Sequence, residues 1–232
     1  MNELALFTGV GGGLLASNLL GINTICAVER DPFCQHILLQ RQNDRLLPTF
    51  PIWDDITTFD GMVWKGSVDL VSGGFPCQAF STAARGRNIS RKDLWGEMWR
   101  VIREVKPTFV FGENVSEKAI LQAEKDLKAS GYSTVFTKLS AKDLGADHTR
   151  NRYWVLAYSN NNGKLLSEEY AKASELQKFC HCIWNPNPTK LGVDDGLAGR
   201  MDKFRAVGNG QVPIVAATAW LILIRDLYKT IN

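Results

Sequence analysis

The segment Gly73-Gly74-Phe75-Pro76-Cys77-Gln78-Ala79-Phe80-Ser81 puts a thiol on a glycine- and proline-containing loop directly after a short apolar run. A lone cysteine usually packs as a small hydrophobe. This one follows an expected buried strand and precedes a polar loop. That places it at the carboxyl edge of a sheet, where doubly wound proteins bind ligands. An exposed thiol there can be drawn into its thiolate form and act as a nucleophile. A second candidate is the turn Phe7-Thr8-Gly9-Val10-Gly11-Gly12-Gly13, which follows a strand and opens a helix. Its glycines let backbone amides approach a ligand at the positive helix end. The spacing departs from the dinucleotide fingerprint, so the turn alone names no cofactor. Glu29 ends the second strand and can accept both hydroxyls of a ribose. Asp55, after the third strand, can receive an adenine amino group. Acids at successive strand ends favour a nucleoside cofactor.

The elements that must position these residues alternate in type. Leu4–Phe7 and Ile25–Val28 are expected strands, each followed by a helix: Leu14–Leu20 after the first, and one opened by Pro32 after the second. Asp69–Val71 and Thr108–Phe111 are expected buried strands. Ser116 is a candidate cap for a helix running to about Ser130, ended by Gly131. Tyr132–Leu139 and Tyr153–Ala157 complete the set. The expectation is an α/β fold with a doubly wound, mostly parallel sheet. Beyond Ala157 the loop signal Ser159-Asn160-Asn161-Asn162-Gly163 opens a region with prolines, glycines and little strand character. The chain then returns to a core-like helix from Pro213 to about Tyr228.

Composition bounds the class. The 232 residues are 45% hydrophobic and 22% charged, enough for one large domain with a buried core and too apolar for a disordered chain. The net charge of +3 permits a nucleic-acid partner without predicting one. Cys26, Cys34, Cys77, Cys180 and Cys182 make an odd count without a regular framework, and the first seven residues lack a basic n-region. Both point to a reducing, intracellular setting. The apolar run from Val212 to Ile224 is too short to span a bilayer and is interrupted by Pro213. Cys180-His181-Cys182 supplies too few ligands at the wrong spacing for structural zinc, so no metal is expected.

Taken together, the motifs resemble those of the cytosine-C5 DNA methyltransferases. Gly74-Phe75-Pro76-Cys77-Gln78 with Phe80-Ser81 resembles the family's nucleophile motif, and Gly112-Glu113-Asn114-Val115 its Glu-Asn-Val motif. Asp147-His148-Thr149-Arg150-Asn151-Arg152 corresponds to the motif whose two arginines meet the target cytosine and its backbone. His148 stands where many members have glutamine. Val207-Gly208-Asn209-Gly210-Gln211-Val212-Pro213 resembles the Gly-Asn motif that completes the cofactor pocket. The glycine turn, Glu29 and Asp55-Ile56 match three further cofactor motifs. All occur in the family's order, over about residues 4–157 and 200–225.

The resemblance implies the methyltransferase (Rossmann-like) fold, S-adenosyl-L-methionine as methyl donor with S-adenosyl-L-homocysteine as product, and double-stranded DNA as partner. It implies that Cys77 adds to C6 of a flipped cytosine, making C5 nucleophilic. Glu113 would hold the N3/N4 edge, Arg152 would bind O2, and Arg150 would assist near the thiol and phosphates. The cofactor residues it implies are Phe7, Gly9, Gly11, Gly12, Glu29, Arg30, Asp55, Ile56, Gly74, Pro76, Asn209 and Gly210. The implied DNA contacts are Gln78, Ser81, Arg85, Arg87, Arg91 and His148. From Arg85 to Arg103, six basic residues face only Asp93 and Glu97, a local +4 available to phosphates.

The expected organisation is residues 1–157 as catalytic and cofactor-binding domain, 158–200 as a reduced target-recognition region, and 201–232 returning to the catalytic domain. Residues 158–203 carry six basic and six acidic residues, so this region shows no phosphate-binding signature. The compact size resembles phage- or prophage-encoded members. A cytoplasmic, monomeric modification enzyme that protects DNA from restriction is the expectation, with no membrane association. Three other readings compete: a catalytically idle DNA-binding relative, an RNA-directed member of the same family, and a nicotinamide oxidoreductase. The last leaves the Pro-Cys-Gln and Glu-Asn-Val motifs unexplained.

Overall fold

A computed structural model describes residues 1–76, 94–176 and 210–231. Among the described residues seven strands form one sheet in the order β3-β2-β1-β4-β5-β7-β6. They are β1 (Asn2–Leu6), β2 (Asn23–Val28), β3 (Ile52–Trp53), β4 (Leu70–Gly74), β5 (Phe109–Asn114), β6 (Ser133–Ser140) and β7 (Asn151–Tyr158). β1 pairs in parallel with β2 and β4, and β4 with β5; β7 runs antiparallel to both its neighbours. The expected doubly wound, mostly parallel sheet is therefore present. The strand order reverses at β1, between β2 and β4, which opens the crevice such sheets use for ligands.

Side-chain alternation along the strands sorts the core onto two faces. On β5, Val110 joins Val71, Val155 and Ala157 under helices α3 (Trp95–Val105) and α4 (Glu117–Ala129). Phe109 and Phe111 point the other way. They meet Trp220 edge-on, with ring centroids 5.8 and 5.5 Å apart. Trp220 belongs to α6 (Pro213–Ile231), which together with α1 (Gly12–Leu19) and α5 (Gly163–Leu176) covers that face. The helix α2 (Pro32–Asn43) packs Leu38 against Ala5, Leu14 and Ala27. Asp31 caps α2 by accepting from the Phe33 amide, with Pro32 in the first turn as expected. α6 is buried over most of its length, and among the described residues no helix is long and apolar enough to cross a membrane.

Three expectations change. The Ser116 side chain makes no cap hydrogen bond; Asn114 Oδ1 accepts from the Ser116 amide instead. Ser116 is still the N-cap residue, and Asn114, at the end of β5, holds the backbone amide of that residue. The region after Ala157 contains the 14-residue helix α5, which stacks Tyr170 on Tyr228 of α6 at 4.0 Å. Finally, the basic stretch is not all loop. Arg100 lies on α3, pairs with Glu97 and Glu104, and donates to the carbonyls of Ile56 and Phe59. A guanidinium with its donors so engaged is not available to a phosphate.

Candidate active site

β5 carries the first functional pair. Glu113 and Asn114 are the last residues of the strand, 6% and 2% exposed. Glu113 pairs in register with Gly74 on β4 and with Trp154 on β7. Arg152 stands two residues before Trp154, hence on the same face and within diagonal reach. Its Nε lies 2.7 Å from Glu113 Oε1. That contact is an ion pair and not a linear hydrogen bond, since Oε1 has no hydrogen-bond partner. The side chains are 15% and 8% exposed, so the pair sits where charges attract far more strongly than at the surface. Burial pushes the Glu113 carboxyl above the ordinary range; Arg152, Gln211 and Arg150 oppose it, in that order of proximity of effect. Burial, with Arg152 beside it, pulls the Arg150 guanidinium down. Arg150 Nη2 donates to the Gly210 carbonyl at 2.6 Å, tying the arginine motif to the segment before α6.

The loop after β4 is anchored from β5. Asn114 Nδ2 donates to the Phe75 carbonyl at 2.8 Å, one residue before Pro76. Gly74 lies close under two side-chain ends: a Cβ there would lie 2.7 Å from Glu113 Oε2 and 3.1 Å from Gln211 Nε2. Cys77, Gln78, Ser81, Arg85, Arg87 and Arg91 lie outside the described residues, as do Asn209 and the Cys180-His181-Cys182 triplet.

The glycine turn joins β1 to α1. Phe7 has a left-handed φ of 53°, which a bulky residue adopts only where its surroundings compel it. Gly11 is the N-cap of α1. A Cβ on Gly12 would overlap the Gln211 carbonyl, so the first turn of α1 and residues 210–211 are in close contact. Glu29 Oε2 accepts from the Gly9 amide at 2.6 Å and Oε1 from the Asp31 amide at 2.8 Å. Its carboxyl is held above the ordinary range by burial, against those backbone bonds. Each oxygen keeps a second lone pair for a hydroxyl. At the next strand end, Asp55 Oδ1 accepts from the amide and hydroxyl of Thr57, which lowers its pKa, and buried Ile56 opens a single 3₁₀ turn. Arg30 is exposed and lowers the Asp55 pKa further.

One cavity gathers much of this. Phe7, Gly9, Gly74, Glu113 and Gly210 all line it, so the expected cofactor turn and the expected base-contacting acid share one space. The Thr8 hydroxyl in its wall is buried without a hydrogen-bond partner. His148 is exposed, on the loop leading to β7. Sequence reasoning missed two residues. Asn114 and Gln211 both lay in the motifs, but their partners are distant in sequence, so residue type alone gave no sign of their contacts.

The model of the C-5 cytosine-specific DNA methylases matches residues 1–191. The chain belongs to that family. The Type II methyltransferase M.CviJI of Paramecium bursaria Chlorella virus IL3A is 28% identical over 217 residues, 90% of this chain and 56% of that protein. The Type II methyltransferase M.AquIA of Picosynechococcus sp. is 32% identical over 186 residues, 69% of this chain and 72% of that one. Among solved structures, a prophage-encoded E. coli protein assigned to the DNA modification methyltransferases matches with a TM-score of 0.54 at 26% identity. The match covers 68% of this chain and 46% of that one. The chain thus spans about half the length of the viral relative and of the prophage structure. In this member of the family, Glu113 and Arg152 are in direct contact on neighbouring strands.

Proposed function

We propose that the protein is a DNA (cytosine-5-)-methyltransferase acting on a cytosine flipped out of duplex DNA. The observation that carries this reading is that Glu113, buried and paired with Arg152, lines the same cavity as the glycine turn. A carboxyl raised by burial beside a guanidinium can meet both the N3/N4 edge and O2 of a cytosine.

The cavity fits an S-adenosylmethionine on chain chemistry. The unpartnered Thr8 hydroxyl and Gly9 line it, and outside its wall Glu29 and Asp55 stand at successive strand ends for a ribose and an adenine. Bound there with Phe7, Gly12, Arg30, Ile56, Pro76, Asn209 and Gly210 around it, that cosubstrate supplies an electrophilic methyl group to C5 of the cytosine. The rest belongs to this chain. The Cys77 thiolate adds to C6 and makes C5 nucleophilic; once C5 carries the methyl group, loss of the C5 proton to solvent breaks the Sγ–C6 bond and returns the thiolate. Glu113 holds a proton at N3 and accepts from N4, and Arg152 binds O2, so charge developing on the ring is stabilised. Arg150 holds the wall through Gly210. Gln78, Ser81, Arg85, Arg87, Arg91 and His148 meet the DNA, whose base must leave the stack to reach a buried acid. The biological role we assign is modification that protects phage or host DNA from restriction, by a monomer in the cytoplasm. Residues 158–200 serve as a short recognition region between 1–157 and 201–232.

The test is nucleoside analysis of duplex DNA, and separately of RNA, after incubation with the protein and labelled S-adenosylmethionine. Label in 5-methylcytosine from DNA supports the reading. Label in RNA alone redirects it to the RNA-directed members, and label in neither overturns it.

A further inference from the structure

Gln211 lines the cavity and lies against both the glycine turn and Gly74, and no role has been given to it. It is half-buried just before α6. Its carbonyl occupies the space a Cβ on Gly12 would need, and its Oε1 lies 2.5 Å from where a Cβ on Gly13 would stand. Its Nε2 and Glu113 Oε2 crowd the same point above Gly74, at 3.1 and 2.7 Å from a Cβ built there. The amide therefore faces the Glu113 carboxyl, and it acts against the upward push of burial on that group. Meanwhile Glu113 Oε1, 2.7 Å from Arg152 Nε, has no hydrogen-bond partner. The two carboxylate oxygens are therefore inequivalent.

The geometry points to Gln211 as a positioning residue for Glu113: its amide donates to one carboxylate oxygen and leaves the other presented to the base beside Arg152. A carboxyl that must address a defined base edge needs its rotamer locked by a supporting hydrogen bond. A neutral amide does this without adding a third cation to the two arginines already there. The same side chain rests on the first turn of α1, so it bridges the glycine turn and the base-contacting acid.

This inference rests on the proposed methyl transfer, and its test separates the two. Single-turnover capture on 5-fluorocytosine duplex DNA is measured across a pH series for the wild type and Gln211→Met, which keeps the length and loses the donor. Affinity for S-adenosylhomocysteine and thermal melting are recorded alongside. Losing one hydrogen bond to a charged group slows capture about tenfold. Because that bond favours the charged carboxylate, its loss moves the pH limb governed by Glu113 upward, by up to about one unit, with Arg150, Arg152 and Gln211 the groups facing it. Cofactor affinity stays within about threefold, since the substitution removes a side-chain donor and leaves the Gln211 carbonyl packed on Gly12. If the Met variant does not fold, Gln211→Asn, which withdraws the amide by one methylene, is read the same way. Wild-type capture with an unmoved limb in the variant overturns this inference alone. A loss confined to cofactor affinity also overturns it, making Gln211 a wall of the cofactor site. No capture by the wild type overturns the proposed function instead.

Discussion

The side chain of Asn114 holds the Phe75 carbonyl at 2.8 Å while its Oδ1 caps the Ser116 amide. One buried amide thus fixes both the exit of β4 toward Pro76 and Cys77 and the start of α4. Asn114→Ala leaves the Phe75 carbonyl and the Ser116 amide unpaired. The expected result is a stability loss of about 1–3 kcal/mol, with methyl transfer reduced more than that loss explains, because Phe75, just before the proposed nucleophile Cys77, loses its anchor. Melting and initial rates measured together decide it; unchanged rates at full folding contradict it.

Glu29 accepts a backbone amide with each oxygen. Glu29→Gln must turn its NH₂ group toward one of those N–H donors, opposing donor to donor. We expect S-adenosylmethionine affinity to fall about tenfold or more, measured by calorimetry. Affinity within twofold of wild type would remove Glu29 from the cofactor site.

Gly12 meets the Gln211 carbonyl so closely that any Cβ must displace it. Gly12→Ala forces α1 and the segment before α6 apart. Overpacking of this kind costs about 1–3 kcal/mol. A fall of several degrees in melting temperature, accompanied by weaker cofactor binding, is expected; an unaltered melting curve would contradict the contact.

Glu3 is 1% exposed and accepts from the hydroxyls of Ser17, Thr24 and Ser72. Burial holds its carboxyl above the ordinary range despite those three bonds. A carboxyl raised by folding contributes stability that is complete below its unfolded pKa and is lost as pH rises through the folded value. Glu3→Gln removes this titration. As pH rises above the ordinary carboxylate range, the wild-type melting temperature should fall relative to the variant's. Parallel pH profiles would show that Glu3 does not titrate there.

Much of the fold was legible because each core strand is a short apolar run beside a turn signal. β1, β2, β5, β6 and β7 all lie within a few residues of where the sequence placed them. α3 was overlooked because its charges dominate the sequence around it, although Trp95, Met98, Val101, Ile102 and Val105 recur at helical spacing on its buried side. α5 was hidden by the asparagine run before it. At the site, Glu113, Arg150 and Arg152 were legible from motif order. Their direct contact was not, because it depends on β7 running antiparallel beside β5. Gln211 and Asn114 act through partners far away in sequence, Glu113 and Phe75, and only the folded sheet brings these together.

The central claim is that Cys77 is the nucleophile served by Glu113 and Arg152. Denaturing electrophoresis of the protein after incubation with 5-fluorocytosine duplex DNA and S-adenosylmethionine tests it most directly. A stoichiometric covalent complex is expected with the wild type, and none with Cys77→Ser. No complex with the wild type, or an undiminished complex with Cys77→Ser, would contradict it.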